Sequence, residues 1–377
     1  MPSSTRTSSD PPARALTVNL ISETEGGLQG HGVHTAFLQT RAALRQAGVD
    51  VRTNSREPSD IVHIQTMGLR SFTVLLRRGS NIVVTAHIVP ESLVGSFMLA
   101  PLWLPIGAAY LRLFYDMADE VVAVSPMVAD ELRGMGLRPP VRYVPNAIDV
   151  AGSRPKGGER EAMRARLGIP DDAFVALCVG QVQPRKGIDA FLDAARALPD
   201  VTFVWVGGMP FRRLTADHGG MLRAVADAPA NVHFIGEVPH DATRGWYAAA
   251  DCLFFPSKQE TFGLAVVEAA AAGLPLVLRD LPAYGPLFGD RYVSGDDSTF
   301  VPWLARLRDD ASLREHYSQA ATELALEFDT GRLADRLLVV YADVLERARE
   351  ESAARDARGA RRIGPALQQA FSTWRNR

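Results

Sequence analysis

Short apolar runs rich in β-branched residues recur along this chain, and most of them lead into a turn and then a helical pattern. Residues 16–21 precede a glycine-rich turn and a helical stretch at 33–47, and the run at 120–125 precedes another helix, with Pro126 suited to its first turn. The runs at 173–179 and 251–255 behave in the same way. Continuous apolar strands that alternate with helices indicate a parallel, doubly wound α/β sheet.

This alternation occurs twice, and 377 residues exceed the roughly 100 to 200 residues of one ordinary domain. The polar stretch at 151–162, rich in Gly, Lys, Arg and Glu, is therefore predicted to link two domains. The predicted organisation is a disordered leader (1–14), an N-terminal Rossmann-like domain (15–150), a linker (151–162), a C-terminal Rossmann-like domain (163–330), a C-terminal helix (331–350) and a basic amphipathic tail (351–377).

A basic turn follows the first strand of the second half. It runs from Gly180 to Gly187 and contains the adjacent cations Arg185 and Lys186. A turn between a strand and a helix directs backbone N–H groups and the helix N-terminus to one place, where two cations suit the diphosphate of a nucleotide. The alternative interpretation is an ordinary turn with solvated basic residues.

Two carboxylates, Glu260 and Glu268, flank the start of an Ala-rich helix, with seven residues between them. Glu260 is placed to contact a sugar hydroxyl, and Glu268 to accept hydrogen bonds from ribose hydroxyls. The segment between them is expected to offer hydrogen-bond donors to a phosphate at the helix start; it comprises Thr261, Phe262, Gly263 and Leu264. Alternatively, Glu260 is only a polar turn residue and Glu268 only a good helix former.

Taken together, the carboxylate pair, the basic turn and the glycine-rich loop after the first strand resemble motifs of the retaining nucleotide-sugar glycosyltransferases of family 4. The resemblance covers roughly residues 17–345. It implies the GT-B fold, in which two Rossmann-like domains face a central cleft and a C-terminal crossover helix packs back on the N-terminal domain. It also implies that the N-terminal domain binds the acceptor and the C-terminal domain binds the nucleotide-sugar.

The resemblance also implies roles for individual residues. Arg185 and Lys186 match the diphosphate-binding pair that follows Gly180, Glu268 matches the ribose ligand and Glu260 the donor-sugar contact. The loop that closes over the phosphates matches Gly27, Gly30 and Gly32.

One position departs from the family pattern, because Gln181 stands where many members have Arg, so that Arg185 would have to replace that Arg. The sequence around Gln181 is similar to the subfamily of bacterial diacylglycerol glucosyltransferases, as are residues 30–33, 87–91 and 203–208. The subfamily resemblance implies UDP-glucose as the donor, a membrane lipid as the acceptor and attachment to an anionic membrane.

His87 follows an apolar strand, so it is expected at a strand end that faces the cleft. The resemblance places it near the transferred sugar, where it would donate a hydrogen bond to a hydroxyl or orient the acceptor; a purely structural histidine is the alternative. The catalytic set implied by the family comprises His87, Glu260, Arg185 and Lys186. The leaving diphosphate would receive the acceptor's proton, and no cofactor and no metal are expected, since no Asp-x-Asp motif is clearly placed.

Global features bear on partners and location. A formal net charge of −2 gives no indication of a nucleic-acid partner. Cys178 and Cys252 lie within apolar runs, which favours reduced core cysteines of a cytoplasmic protein. The apolar stretch at 98–114 and the Arg-rich tail at 355–377 suit peripheral attachment to an anionic membrane. A buried helix and a disordered tail are the respective alternatives.

Three further functions remain open at this stage. The same transferase chemistry would also serve a soluble sugar or small-molecule acceptor. A dinucleotide-dependent oxidoreductase is suggested by the glycine-rich loop, but its spacing is not Gly-x-Gly-x-x-Gly and residues 49–54 lack the expected acidic ribose ligand. A non-catalytic nucleotide-sugar-binding protein is the third.

Overall fold

The computed structural model describes residues 14–25, 32–77, 81–90, 100–209 and 217–375, without the side chains of 100–104, 218 and 355–375. Two parallel six-stranded sheets form its framework. The first contains β1 (Thr17–Ile21), β2 (Asp50–Thr53), β3 (Ile61–Ile64), β4 (Asn81–Ala86), β5 (Glu120–Ala123) and β6 (Val141–Tyr143), and the second contains β7 (Val175–Val179), β8 (Thr202–Val206), β9 (Val232–Gly236), β10 (Cys252–Phe255), β11 (Leu276–Arg279) and β12 (Val293–Gly295).

Both sheets are doubly wound. The first has the order β2-β1-β3-β4-β5-β6 and the second the order β9-β8-β7-β10-β11-β12. In the second sheet the first strand of the domain, β7, pairs with the fourth, β10, so the direction of strand progression reverses between them. Such a reversal opens a crevice at the carboxyl ends of the two strands, where ligands bind in open α/β sheets.

Helices connect the strands, and local sequence sets their ends. Ser125 begins one of them by accepting a hydrogen bond from the Val128 amide at 3.2 Å, with Pro126 in the first turn as predicted. The helices are α1 (Gly32–Gln46), α2 (Leu69–Leu76), α3 (Ala100–Asp116), α4 (Pro126–Gly134), α5 (Val150–Ser153), α6 (Glu159–Leu167), α7 (Ile188–Ala197), α8 (His218–Ala226), α9 (Thr243–Ala249), α10 (Leu264–Ala271), α11 (Tyr284–Phe288), α12 (Phe300–Asp309), α13 (Ala311–Ala325) and α14 (Thr330–Arg375), and there are 3-10 turns at Pro184–Lys186, His240–Ala242 and Leu326–Phe328.

Aromatic packing fixes the core of the second sheet. Phe191 of α7 packs edge-on against Trp205 at a centroid distance of 4.9 Å and stacks on Phe254 at 5.8 Å. All three side chains are buried, and each such ring contributes roughly 1.5 to 3 kcal/mol through removal of apolar surface from water. Cys178 and Cys252 lie in the same core as free, buried thiols.

The segment at 151–162, which the sequence predicts as a linker, contains helical structure. It includes the end of α5 and the first turn of α6. One of its basic residues, Arg160, contacts one carboxylate oxygen of Asp251 at 2.6 Å, and the buried Arg164, just beyond the segment, contacts the other at 2.7 Å. These ion pairs hold α6 against the second domain.

The chain returns to the first domain beside the point where it left. The Ile148 amide donates to the Phe328 carbonyl at 2.9 Å, and the Thr330 amide donates to the Ile148 carbonyl at 3.0 Å. From there α14 packs on the first sheet, where Leu337 and Tyr341 are buried. The predicted return of the C-terminal helix to the N-terminal domain is therefore confirmed, and so is the α/β architecture of two Rossmann-like domains.

The predicted leader and tail are described only in part. Residues 1–13 of the predicted leader lie outside the described residues. The predicted tail continues α14 as far as Arg375, although its side chains beyond 354 are not described. Within the described parts of the chain, no helix has both the length and the apolar character that crossing a bilayer requires.

Candidate active site

A cleft of about 420 Å3 lies between the two domains. The first domain contributes His87 and Ile88, which follow β4, together with Asn146 near the domain crossing. The second contributes the turns that follow β7 and β10. Because these strands are neighbours at the point where strand progression reverses, their two turns meet at the same edge of the sheet.

The basic turn after β7 packs closely on the turn after β10. Gly187 has a φ of +75°, and a Cβ at this position would collide with the Pro256 carbonyl. The Arg185 guanidinium donates from Nε to Gln183 Oε1 at 3.0 Å and from Nη1 to the Gln259 carbonyl at 3.3 Å. Gln183 in turn donates to Gln181 Oε1 at 2.9 Å. Arg185 is thus held in place along the floor of the cleft.

Lys186 and Glu260 form a buried ion pair in which Nζ contacts Oε1. The Ser257 hydroxyl donates to the same carboxylate oxygen at 2.7 Å, and the ammonium lies 5.0 Å from the centre of the Phe255 ring. Burial opposes the ionisation of Glu260, but the charges of Lys186 and Arg185 outweigh it and hold the pKa of the carboxyl below its usual value. Glu260 is therefore a carboxylate that accepts hydrogen bonds.

Glu268 lies in the second turn of α10 and is also buried. His240 Nε2 lies 2.9 Å from its Oε1, and the Tyr247 hydroxyl donates to its Oε2 at 2.8 Å. The hydrogen bond to Glu268 raises the pKa of His240, and burial raises the pKa of Tyr247. The carboxylate is thereby fixed from two sides at the edge of the cleft.

Sequence reasoning did not find His240 or Tyr247. Tyr247 lies in α9, inside a stretch that the sequence identifies only as a helix, and His240 in the 3-10 turn just before it. A polar residue in the turn after β9 was a signal that could have identified His240, because turns after parallel strands face the ligand crevice.

The start of α10 forms another side of the cleft. Gly263 precedes the helix with a φ of +89°, and no described side chain caps the helix there. The first N–H groups of an α-helix have no partner within the helix, so this end can receive an anion. Gly32 lies close by, since a Cβ there would be 3.9 Å from Leu264 Cδ1. Gly27 and Gly30, the other predicted loop glycines, lie outside the described residues.

His87 lies just beyond the end of β4. Burial lowers the pKa of its imidazole to about 4, so the ring is neutral at neutral pH. Its Nε2 is 3.4 Å from Gln65 Oε1. Gln65 is a third residue that sequence reasoning missed, although a Gln at the end of the apolar run at 61–64 was a signal for a polar group facing the cleft.

The structure brings the described members of the predicted site together. Those that line the cleft are Gly32, His87, Gly180, Arg185, Lys186, Glu260, Thr261, Phe262, Gly263, Leu264 and Glu268. In the described part of the chain, no group of three or more His, Cys, Asp or Glu side chains could hold a metal ion. Asp296, one of two adjacent aspartates, does not belong to such a group. It accepts hydrogen bonds from the amides of Ser298 and Thr299, which is typical of a residue that caps a turn.

Two protein-family models match this chain. Residues 33–151 match the model for glycosyltransferase family 4, and residues 159–323 match the model for glycosyl transferases group 1. The boundary between the two matches lies in the segment around α5 and α6, which agrees with the point where the chain passes from the first domain to the second.

Among curated proteins, the alpha-galactosylglucosyldiacylglycerol synthase of Streptococcus pneumoniae (strain ATCC BAA-255 / R6) is 31% identical over 286 residues, or 74% of this chain and 76% of that protein. The processive diacylglycerol alpha-glucosyltransferase of Acholeplasma laidlawii is 28% identical over 71% of this chain and 80% of that protein. A D-inositol 3-phosphate glycosyltransferase of Catenulispora acidiphila is 32% identical over 62% of this chain and 59% of that protein.

Solved structures share the fold at low sequence identity. Anabaena HepE in complex with UDP and glucose has a TM-score of 0.68 and 17% identity, covering 87% of this chain and 99% of that one. Sucrose-phosphate synthase from Thermosynechococcus elongatus has a TM-score of 0.72 and 17% identity, covering 88% and 99%. These similarities extend over both domains, and they agree with the predicted GT-B fold.

Proposed function

We propose a specific reaction for this chain, which belongs to glycosyltransferase family 4 and is a glycosyltransferase. It moves a hexose, glucose in particular, from a UDP-sugar to a membrane lipid such as diacylglycerol. The anomeric configuration of the sugar is retained. None of the relatives described above supports the oxidoreductase alternative. A non-catalytic binding protein is disfavoured because His87, Arg185 and Glu260 all line one cleft.

The observation that carries the donor assignment is the convergence of Arg185, Lys186 and Glu268 at the start of α10. The two cations and the helix N-terminus suit the diphosphate. Glu268, held by Tyr247 and His240, retains lone pairs for the ribose hydroxyls. The complexes of Anabaena HepE with UDP and with UDP-glucose support UDP as the nucleotide.

The proposed transfer needs no covalent intermediate. The bond between the anomeric carbon and the β-phosphate oxygen breaks, and the acceptor's hydroxyl oxygen bonds to the anomeric carbon on the same face. The leaving diphosphate accepts the hydroxyl proton, and Arg185 and the N-terminus of α10 stabilise its charge. Glu260 and Glu268 are engaged with other side chains, so neither is the nucleophile in this proposal; their role is to hold the donor.

Fixed positive charge from Arg185 and Lys186 supplies the stabilisation that a divalent cation provides in other transferases. We therefore propose that catalysis requires neither a metal nor a cofactor. Full activity in the presence of excess EDTA would support this part, and restoration of lost activity by added Mg²⁺ or Mn²⁺ would overturn it.

Two features support a lipid acceptor. The relatives from Streptococcus pneumoniae and Acholeplasma laidlawii are named for diacylglycerol glycosylation. In this chain, α2 and α3 lie side by side through the rings of Phe72 and Tyr110, 6.2 Å apart. They carry an exposed apolar surface, hereafter the apolar patch, made of Leu69, Leu76, Ile106, Tyr110 and Leu113.

The apolar patch is connected to the acceptor side of the cleft. Tyr115, at the end of α3, donates a hydrogen bond to the Ile88 carbonyl at 2.5 Å, and Ile88 lines the cleft beside His87. A helix that lies on a membrane surface could therefore deliver a lipid hydroxyl close to the donor sugar. We propose peripheral attachment to the inner face of an anionic membrane, with the Arg-rich tail as a second contact.

A soluble acceptor is the second candidate. The relatives from Catenulispora acidiphila and several other organisms are named for transfer to D-inositol 3-phosphate. Under this alternative the apolar patch would serve another purpose, and the acceptor would be a small polar alcohol.

The deciding experiment gives the full chain radiolabelled UDP-glucose with either diacylglycerol in mixed micelles or inositol phosphate in solution. Label extracted into organic solvent, with an α-anomeric product by proton NMR, is the expected result. Label found only in the water phase would reject the lipid acceptor, and a β-anomer would reject retention. Lys186→Met tests the donor site in the same assay. Its matched control is Lys258→Met, a change to an exposed residue near the site.

A further inference from the structure

Two of the proposed donor ligands neutralise each other in the cleft. The Lys186 ammonium contacts the Glu260 carboxylate, and both side chains are almost fully buried where they line the cleft. Burial lowers the pKa of Lys186, so its ammonium form depends on a neighbouring anion, and Glu260 supplies that anion. A donor that binds here therefore meets an ion pair that already exists, and not two free charges.

The two cations of the basic turn are consequently not equivalent. Arg185 is held by neutral acceptors, Gln183 Oε1 at 3.0 Å and the Gln259 carbonyl at 3.3 Å. It forms no ion pair with any carboxylate in the part of the chain that the structure describes. Its charge is available to a phosphate without the loss of an ionic contact, whereas Lys186 reaches a phosphate only by giving up Glu260.

Breaking the pair leaves Glu260 in an unfavourable state. Among the described residues, its carboxylate would keep the hydrogen bond from the Ser257 hydroxyl at 2.7 Å. Removal of one partner from a buried ion pair is strongly destabilising, because the remaining charge stays buried without compensation. A free nucleoside diphosphate ends in anionic phosphate oxygens, which accept hydrogen bonds and cannot replace the contact that Glu260 loses.

An intact nucleotide-sugar differs at this point. Its sugar hydroxyls are donors, and a hydroxyl directed to Glu260 forms a charge-assisted hydrogen bond that offsets the loss of Lys186. Lys186 is then free to contact the diphosphate. We propose that the Lys186–Glu260 ion pair makes the donor site select the intact nucleotide-sugar over the free nucleoside diphosphate that the transfer releases.

This proposal rests on the donor site of the proposed function and deepens it. It gives Glu260 a second role, because the carboxylate opposes phosphate binding until a sugar hydroxyl engages it. Once the sugar has been transferred, its hydroxyls leave with the acceptor, and Glu260 draws Lys186 away from the diphosphate. The product nucleotide is thereby released, and it competes only weakly with the next donor.

The test is the affinity of the full chain for inorganic pyrophosphate, UDP and UDP-glucose, measured by calorimetry without an acceptor. In Glu260→Gln the ammonium of Lys186 is no longer withheld, so the Kd values for pyrophosphate and UDP should fall by about fivefold or more. The Kd for UDP-glucose should stay the same or rise. The preference for UDP-glucose over UDP should therefore decrease by at least about fivefold.

Asp189→Asn is the matched control. Asp189 is an exposed carboxylate, and its partner Lys258 lies close to Glu260 in the sequence. The change removes one negative charge near the site without touching the buried pair, so it should alter each Kd by less than about twofold. The control thus separates competition for Lys186 from a general effect of net charge.

The unaltered chain offers a test that needs no variant, which keeps the proposal decidable if Glu260→Gln does not fold. Free glucose should occupy the sugar side of the cleft and engage Glu260. A saturating concentration of glucose should therefore lower the Kd for UDP by about threefold or more, and UDP should tighten glucose binding by the same factor.

Two results would overturn the proposal. One is pyrophosphate and UDP binding that is unchanged or weaker in Glu260→Gln; weaker binding would show that Lys186 bridges the carboxylate and the phosphate. The other is a Kd for UDP that saturating glucose leaves unchanged or raises. Failure of the proposed function gives a different result. In that case the unaltered chain would not bind UDP-glucose, while pyrophosphate would still show whether Glu260 withholds Lys186.

Discussion

The ammonium of Lys186 contacts the carboxylate of Glu260 inside the cleft, so the two predicted donor-binding residues also bind each other. They come from the turns after β7 and β10, 74 positions apart in the sequence. Their side chains are only 11% and 9% exposed. The pair therefore holds the two turns together as well as presenting polar groups to a donor.

The first prediction concerns removal of one partner. Lys186→Met or Glu260→Gln alone should lower the free energy of unfolding by roughly 3 to 5 kcal/mol, because an uncompensated charge or polar group stays buried. The double variant should lose less than the sum of the two. Urea unfolding followed by tryptophan fluorescence measures the unfolding free energies of the single and double variants. The exposed pair of Lys258 and Asp189 is the control, and Lys258→Met should change stability by less than about 0.5 kcal/mol.

The second prediction concerns the hydroxyl that fixes Glu268. Tyr247→Phe removes a hydrogen bond of 2.8 Å to a buried carboxylate, which is typically a loss of about 1.5 to 3 kcal/mol. If Glu268 binds the ribose, the Kd for UDP should rise by about tenfold or more, as measured by calorimetry. Binding of inorganic pyrophosphate, which lacks a ribose, should not change. Equal weakening of both ligands would show that Tyr247 acts on the whole site and not on ribose recognition.

The third prediction concerns acid stability. Burial depresses the pKa of His63 from 6.5 to about 3, so its contribution to stability is complete above pH 6.5 and is lost as the pH falls toward 3. Between pH 7 and pH 5 this loss amounts to about 2 kcal/mol.

His63→Leu should therefore show a smaller decrease in unfolding free energy over this interval than the unaltered chain. The comparison uses each protein's own pH dependence, because the variant also loses the contact with Tyr341. Val83→Ala, a buried neighbour on β4, should lower stability by the same amount at both pH values. An unchanged acid sensitivity in His63→Leu would contradict the assignment.

Much of the fold could be predicted from the sequence because its signals are local. Apolar runs followed by turns indicated most strands of both sheets, although not β11 and β12, and Pro126 marked a helix start. The basic turn and the two carboxylates follow neighbouring strands, so a doubly wound topology brings them together without further information.

The parts that could not be predicted depend on contacts between distant positions. Glu268 and His240 are 28 positions apart, and nothing in the turn around His240 identifies its partner. The charged segment at 151–162 has the composition of a linker, but its helical part pairs with distant residues, Arg160 with Asp251 and Glu159 with Arg244. The contact between His63 and Tyr341 likewise joins positions 278 apart in the sequence.

The last prediction concerns the apolar patch. Ile106 and Leu113 are 75% and 54% exposed on α3, and burying them in a membrane interface would stabilise binding by roughly 1.5 to 3 kcal/mol each. Ile106→Ser combined with Leu113→Ser should therefore weaken flotation with vesicles by at least about tenfold, whether or not the vesicles contain anionic lipid. Removal of residues 351–377 should weaken flotation only with anionic vesicles, because the Arg residues act through charge.

Leu326→Ser, at an exposed leucine of the second domain, is the matched control and should float like the unaltered chain. If the double variant also floated normally, α3 would not be the membrane contact, and the route from membrane to cleft through Tyr115 and Ile88 would lose its support.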